Sequence, residues 1–211
     1  MIALTVLIID SSRIADRDRL AASLSSSCQA RLERIIAPER RRQFILGRWL
    51  MAQAAGCRQD QIIEARDYPA YADEPDWHAS ISHSGPYVAV VFSQSARVGL
   101  DIEFPARQRD WSALAERAFT KDEAAWIAAA ISPEQRRERF QRIWTLREAA
   151  FKAGLRELAT GEPAAFDPAS EQAIGELHWR NLRHGSCHLS LACRQPFSAT
   201  IVEIPGPANK S

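Results

Sequence analysis

The chain opens on a stretch that is apolar at almost every position (Ile2, Ala3, Leu4, Val6, Leu7, Ile8, Ile9), which predicts a buried first strand. It carries neither the basic leader nor the small-residue cleavage pattern of a signal segment. Ile14, Leu20 and Leu24, set among charged and small residues, predict an amphipathic helix over positions 16–25. A longer helix is predicted from Pro38 and Glu39, where proline suits the first turn. Phe44, Ile45, Leu46, Trp49, Leu50 and Ala54 then recur at helical spacing until Gly56 stops it. Positions 67–78, rich in Tyr, Pro, Asp and Trp without a period, predict a surface loop. The β-rich runs at 87–92 and 98–103 flank the polar segment 93–97 and predict a hairpin.

Helical spacing returns at 111–118, 122–131 and 133–154. The remainder, through 177–179, 187–193 and 197–204, alternates like antiparallel strands, with turns at Gly185 and Pro196. Helices followed by strands, twice over, predict an α+β protein of two similar halves.

With 211 residues, 46% hydrophobic and 25% charged, the chain has enough apolar material for a packed core. The net charge of +1 advertises no nucleic-acid or membrane partner, so any anion site has to be local. No apolar run approaches the roughly 20 residues needed to cross a bilayer. Three of the 27 basic residues are lysines (Lys121, Lys152, Lys210) and the rest are arginines. Cys28, Cys57, Cys187 and Cys193 show no C-x-x-C spacing. They read as reduced, packed thiols of a cytoplasmic protein rather than as a zinc site or disulfide framework.

Three clusters carry candidate chemistry. Asp101 and Glu103 lie two apart in a strand, so their carboxylates share a face while Leu100 and Ile102 take the other. Paired acids repel unless a cation lies between them, and a hard divalent ion with oxygen ligands fits; a solvated strand face is the plainer alternative. Trp144, Glu148 and Lys152 follow at i, i+4 spacing on one helix face, which taken alone reads better as a surface Glu–Lys pair; the bulky tryptophan that begins the face is what points to function. Ser82-His83-Ser84-Gly85 reads as a polar turn whose hydroxyls, imidazole and backbone N–H groups suit a phosphate, helped by arginines of the preceding helix. A Ser/His hydrolase lacks both a G-x-S-x-G elbow and a third member.

Taken in order, Ile81-Ser82-His83-Ser84-Gly85, Val98-Gly99-Leu100-Asp101-Ile102-Glu103 and Trp144-Thr145-Leu146-Arg147-Glu148-Ala149 with Lys152 and Gly154 resemble the signature of Sfp-type 4′-phosphopantetheinyl transferases. Arg117-Ala118-Phe119-Thr120-Lys121-Asp122-Glu123 resembles the family's link between the second and third motifs. The stretch from Arg40 to Gly47-Arg48 resembles its arginine-rich helix. The resemblance implies two pseudo-symmetric halves, each a small antiparallel sheet packed with helices, with coenzyme A in the cleft between them. Residues 1–96 would contact the nucleotide and its 3′-phosphate, and 97–211 would carry the metal and catalytic residues and meet the carrier.

The activity it implies is Mg²⁺-dependent transfer of the 4′-phosphopantetheine arm of coenzyme A to a serine of an apo acyl or peptidyl carrier protein, releasing 3′,5′-ADP. By position, Asp101, Glu103 and Glu148 would hold Mg²⁺. Glu148, directly or through a water, would be the base, and Lys152 would steady the phosphates and the leaving group. His83 with Ser82, Ser84 and helix arginines (Arg42, Arg48) would hold the 3′-phosphate. A monomer is expected.

Three departures from the family pattern stand out. Arg147 replaces the usual lysine before the glutamate. Asp67-Tyr68-Pro69-Ala70-Tyr71 lacks the Gly-Lys-Pro element, leaving Arg66 as a substitute candidate. Gly154 follows Lys152 by two residues rather than three. The competing readings are a coenzyme A-binding protein without transfer activity and a metal-dependent nucleotide phosphohydrolase.

Overall fold

Strand β1 (Ile2–Asp10) forms as predicted and lies inside a four-stranded sheet, which accounts for its near-continuous apolar run: Leu4, Val6 and Ile8 face one side, Leu7 and Ile9 the other. The structure, a computed structural model, describes residues 1–14, 17–65, 68–105, 109–155 and 177–206; Asp16 and Arg66 fall outside them. The single helix expected over 16–25 is two: α1 (Arg17–Ala22) ends early, and Ser25 caps α2 (Ser26–Glu33) by accepting from Cys28 N. Helix α3 (Pro38–Ala55) matches its punctuation, with Pro38 in the first turn and Gly56 in the left-handed region at φ 65°.

The segment read as a loop holds a strand. β2 (Ile62–Ala65) pairs antiparallel with β3 (Tyr68–Tyr71), and a two-stranded ribbon tolerates Pro69 because it is all edge. Tyr71, Trp77 and Phe92 then pack edge to face with centroids 5.1–5.4 Å apart.

The predicted hairpin is also corrected. β5 (Tyr87–Ser93) pairs with β4 (His78–Ser84) around Gly85, while β6 (Val98–Glu103) joins a second sheet of order β6-β8-β7 with β8 (Cys187–Cys193) and β7 (His178–His184). The physical reason is that β5 already has β4 on one side and β1 on the other, leaving no edge for β6. Ser82-His83-Ser84, read as a turn, is therefore the end of a strand.

Helices α4 (Trp111–Ala118), α5 (Lys121–Ala128) and α6 (Pro133–Lys152) follow, the second opened by a capping box of Thr120 and Glu123. The strand β9 (Phe197–Glu203) returns to the first sheet and pairs with β1 in parallel; the other pairings among the described strands are antiparallel.

The result is an α+β fold in four layers. Helices α1 to α3 cover one face of the first sheet. The other face meets the second sheet across a core of Leu4, Val6, Ile8, Ala89, Val91, Leu100, Ile102, Leu189 and Leu191, and α6 covers the far side. No described helix is long and apolar enough to cross a membrane.

Candidate active site

Strand β6 has one apolar face and one chemical face. Leu100 and Ile102 are 0% and 1% exposed in the core between the sheets, so Asp101 and Glu103 point the other way, toward α6. Helix α6 approaches that face unusually closely because position 99 is glycine: a Cβ there would lie 1.8 Å from Ala149 O. Ala149 and Ala153 supply the small surface on the helix side. This contact brings the end of α6 over the strand, and Lys152 Nζ donates to Asp101 Oδ1 at 2.7 Å and to Leu100 O at 3.0 Å. Asp101 is buried and Lys152 partly open to solvent.

The carboxylates are held from a second direction. Ser82 Oγ donates to Asp101 Oδ1 at 2.7 Å and Ser84 Oγ to Glu103 Oε2 at 2.9 Å, both from the edge strand β4 of the other sheet. Burial lifts the Glu103 carboxyl above its ordinary range. The Ser84 hydrogen bond opposes that shift, the Asp101 charge adds to it, and Arg109 and Lys152 pull it down.

Among the described residues, Asp101 Oδ2 and Glu103 Oε1 accept no hydrogen bond. Two hard oxygens side by side, one on a carboxyl whose ionisation burial disfavours, suit Mg²⁺, which usually takes one or two carboxylates beside phosphate and water oxygens. No group of three His, Cys, Asp or Glu side chains among the described residues is close enough to hold a metal, so Glu148 stands apart from the pair. It is half-buried on α6, one turn before Lys152, and no described side chain engages it.

His83 projects from the opposite face of β4, toward α3. Arg40 Nη1 lies 2.8 Å from His83 Nε2 and can only donate, so that nitrogen accepts. Burial, then the Arg40 charge, push the imidazole below its ordinary pKa. Of the arginines on α3, the structure therefore brings Arg40 to His83, not Arg42 or Arg48. Arg42 pairs with Glu39 one turn back. Arg48 is largely buried against Glu64 at 2.6 Å and stacks over the Phe44 ring at 3.7 Å. The missed signal was spacing: Arg48 falls at i+4 from Phe44 on the buried face of α3, whereas Arg40 lies in the first turn, near the end of β4.

Arg147 likewise turns away. It donates to Glu123 Oε2 at 2.6 Å and to Ala118 O at 3.1 Å and lies over Phe119, tying α6 to α4 and α5. Opposite Glu103 in the β6–β8 register sits His188, whose pKa burial and Arg183 lower to about 4, so it is a neutral neighbour of the carboxylates near neutral pH.

A family model described as the 4′-phosphopantetheinyl transferase superfamily matches residues 97–202. The chain is 34% identical over 113 residues to the 4′-phosphopantetheinyl transferase AcpT of Escherichia coli (strain K12), covering 54% of this chain and 57% of that protein. It is 31% identical over 178 residues to the 4′-phosphopantetheinyl transferase HetI of Nostoc sp. (strain PCC 7120), covering 75% of each. It is 28% identical over 145 residues to the 4′-phosphopantetheinyl transferase ffp of Bacillus subtilis, covering 65% and 62%. Against AcpT the match thus spans little more than half of the relative's length.

Proposed function

The chain belongs to the 4′-phosphopantetheinyl transferase superfamily, and from that premise we propose that it transfers the 4′-phosphopantetheine group of coenzyme A to a serine of an apo acyl or peptidyl carrier protein, releasing 3′,5′-ADP. The observation that carries the reading is the junction of Lys152 with the Asp101–Glu103 face where the two sheets meet, with His83 and Arg40 across β4.

In the reaction the serine oxygen bonds to the β-phosphorus, the bond from that phosphorus to the bridging oxygen breaks, and 3′,5′-ADP leaves with the electron pair. Glu148 takes the serine proton, directly or through a water; no described residue occupies it, so its side chain can turn to the nucleophile. Lys152 gives its ammonium to the phosphates, where a compact charge offsets what develops on the leaving oxygen. Asp101 and Glu103 would hold Mg²⁺, Glu148, which stands apart from them, would join as third ligand by a turn of its side chain, and the ion would supply charge neutralisation at the phosphates. His83 and Arg40 hold the 3′-phosphate. The nucleotide lies along the seam between residues 1–96 and 97–211, and the carrier docks on the second half.

The four cysteines are all unpaired, which supports action in the reducing cytoplasm; we take the enzyme to act there as a monomer. The test is a mass-shift assay with coenzyme A and Mg²⁺, run with one apo carrier each from fatty-acid, polyketide and nonribosomal peptide synthesis. A gain of the phosphopantetheine mass on one or more is expected. Coenzyme A cleavage without a carrier would identify a phosphohydrolase instead, and binding without reaction an inactive coenzyme A-binding protein. Asp101→Asn is expected to cut transfer on the order of 10²-fold or more while the melting curve stays cooperative.

A further inference from the structure

We infer that Ser82 and Ser84 are positioning residues for the Asp101–Glu103 pair and take no part in gripping the nucleotide phosphate; the inference rests on the reading above. Side chains of β4 alternate between its two faces with a period of two residues. Ser80, Ser82 and Ser84 share one face, and Ile81 and His83 share the other, toward α3. Each serine meets β6. Ser80 Oγ accepts from Leu100 N at 2.9 Å, Ser82 Oγ accepts from Ile102 N at 3.3 Å while donating to Asp101 Oδ1, and Ser84 Oγ donates to Glu103 Oε2.

A serine hydroxyl has one proton. A phosphate dianion offers only acceptors, so a hydroxyl that has given its proton to a carboxylate has nothing left to donate to it. His83 lies on the far side of the strand, beside the Arg40 guanidinium, whose N–H groups can only donate. The serines also decide which carboxylate oxygens stay open. Asp101 Oδ1 is taken by Ser82 and Lys152 together, and Glu103 Oε2 by Ser84, which leaves Oδ2 and Oε1 for a cation. Neighbours of this kind fix the orientation of metal ligands, and removing them typically costs 10–100-fold in metal affinity or activity.

Ser80 supplies an internal control, because it makes the same strand-to-strand stitch at a position with no carboxylate. The test compares Ser80→Ala, Ser82→Ala, Ser84→Ala and Ser84→Thr for Mn²⁺ affinity by calorimetry, Mg²⁺ dependence of transfer, preference for coenzyme A over dephospho-coenzyme A, and melting temperature. Ser82→Ala and Ser84→Ala are expected to weaken Mn²⁺ binding about tenfold or more with the 3′-phosphate preference unchanged. Ser84→Thr should keep most of the affinity, and Ser80→Ala should lower the melting temperature alone. Unchanged Mn²⁺ binding with a lost 3′-phosphate preference would overturn the inference in favour of a phosphate clamp. Equal metal losses in all three alanine variants would reduce the serines to stitching. A wild-type protein that neither binds Mn²⁺ nor modifies a carrier would overturn the functional reading, and this inference with it.

Discussion

Helices α3 and α6 solve the same problem in opposite ways. Each is anchored by an arginine paired with a glutamate at 2.6 Å and laid over a phenylalanine ring, Arg48–Glu64 over Phe44 in one and Arg147–Glu123 over Phe119 in the other. Each also brings a cation to the seam, Arg40 to His83 and Lys152 to Asp101. They differ in how closely they lie on their strands. On α3 the glycine is in the helix, and a Cβ on Gly47 would come to 3.2 Å from a methyl of Ile81; under α6 the glycine is in the strand, and a Cβ on Gly99 would meet backbone at 1.8 Å. A side chain can give way and a helix carbonyl cannot. The difference matters because the cation near the reacting phosphates needs a fixed height over β6.

Gly99→Ala is the strongest way to break this asymmetry. The methyl has to lift α6, so a loss of about 3 kcal/mol or more is expected, together with loss of transfer as Lys152 leaves Asp101. Thermal melting beside the carrier assay checks it, and a soluble, fully active variant would remove the close approach from the account. Next in size are Arg48→Lys and Arg147→Lys. Each keeps the charge but loses a forked contact and the ring stacking, at a cost of about 1–3 kcal/mol, with turnover within a few-fold of wild type. A large fall in turnover with Arg147→Lys and an unchanged melting temperature would show that this arginine serves the reaction. The smallest effect belongs to Gly47→Ala. Better helix propensity, about 1 kcal/mol, is set against a small shift of Ile81, for a net change within about 0.5 kcal/mol by denaturant titration.

The parts of the molecule written in short-range pattern were legible. Helix α3 was framed by Pro38 and Gly56, and the same-face placement of Asp101 and Glu103 followed from the period of a strand. What failed depended on partners distant in sequence. The run from Tyr87 to Glu103 looks like a hairpin, but hydrogen bonding for β6 comes from β8, nearly ninety positions on. Ser82-His83-Ser84 has the composition of a turn, and only pairing with β5 makes it a strand. A signal was present in that stretch: serines at 80, 82 and 84 against Ala79, Ile81 and His83 already alternate. The choice among arginines turned on burial. Arg48 sits on the face of α3 that carries Phe44 and Met51, and a charge on that face needs an internal partner, which Glu64 supplies.

The parallel pairing of β1 with β9 has a consequence for biosynthesis. Ile2 lies opposite Phe197, so β1, made well before its partner, keeps an open apolar edge until residues 197–203 have been made. A fragment ending near position 96 would carry that edge permanently and be prone to strand-to-strand aggregation. Folding of the whole chain has to close its longest loop before the first sheet is complete, which puts it among slowly folding topologies and makes its yield sensitive to chaperone supply.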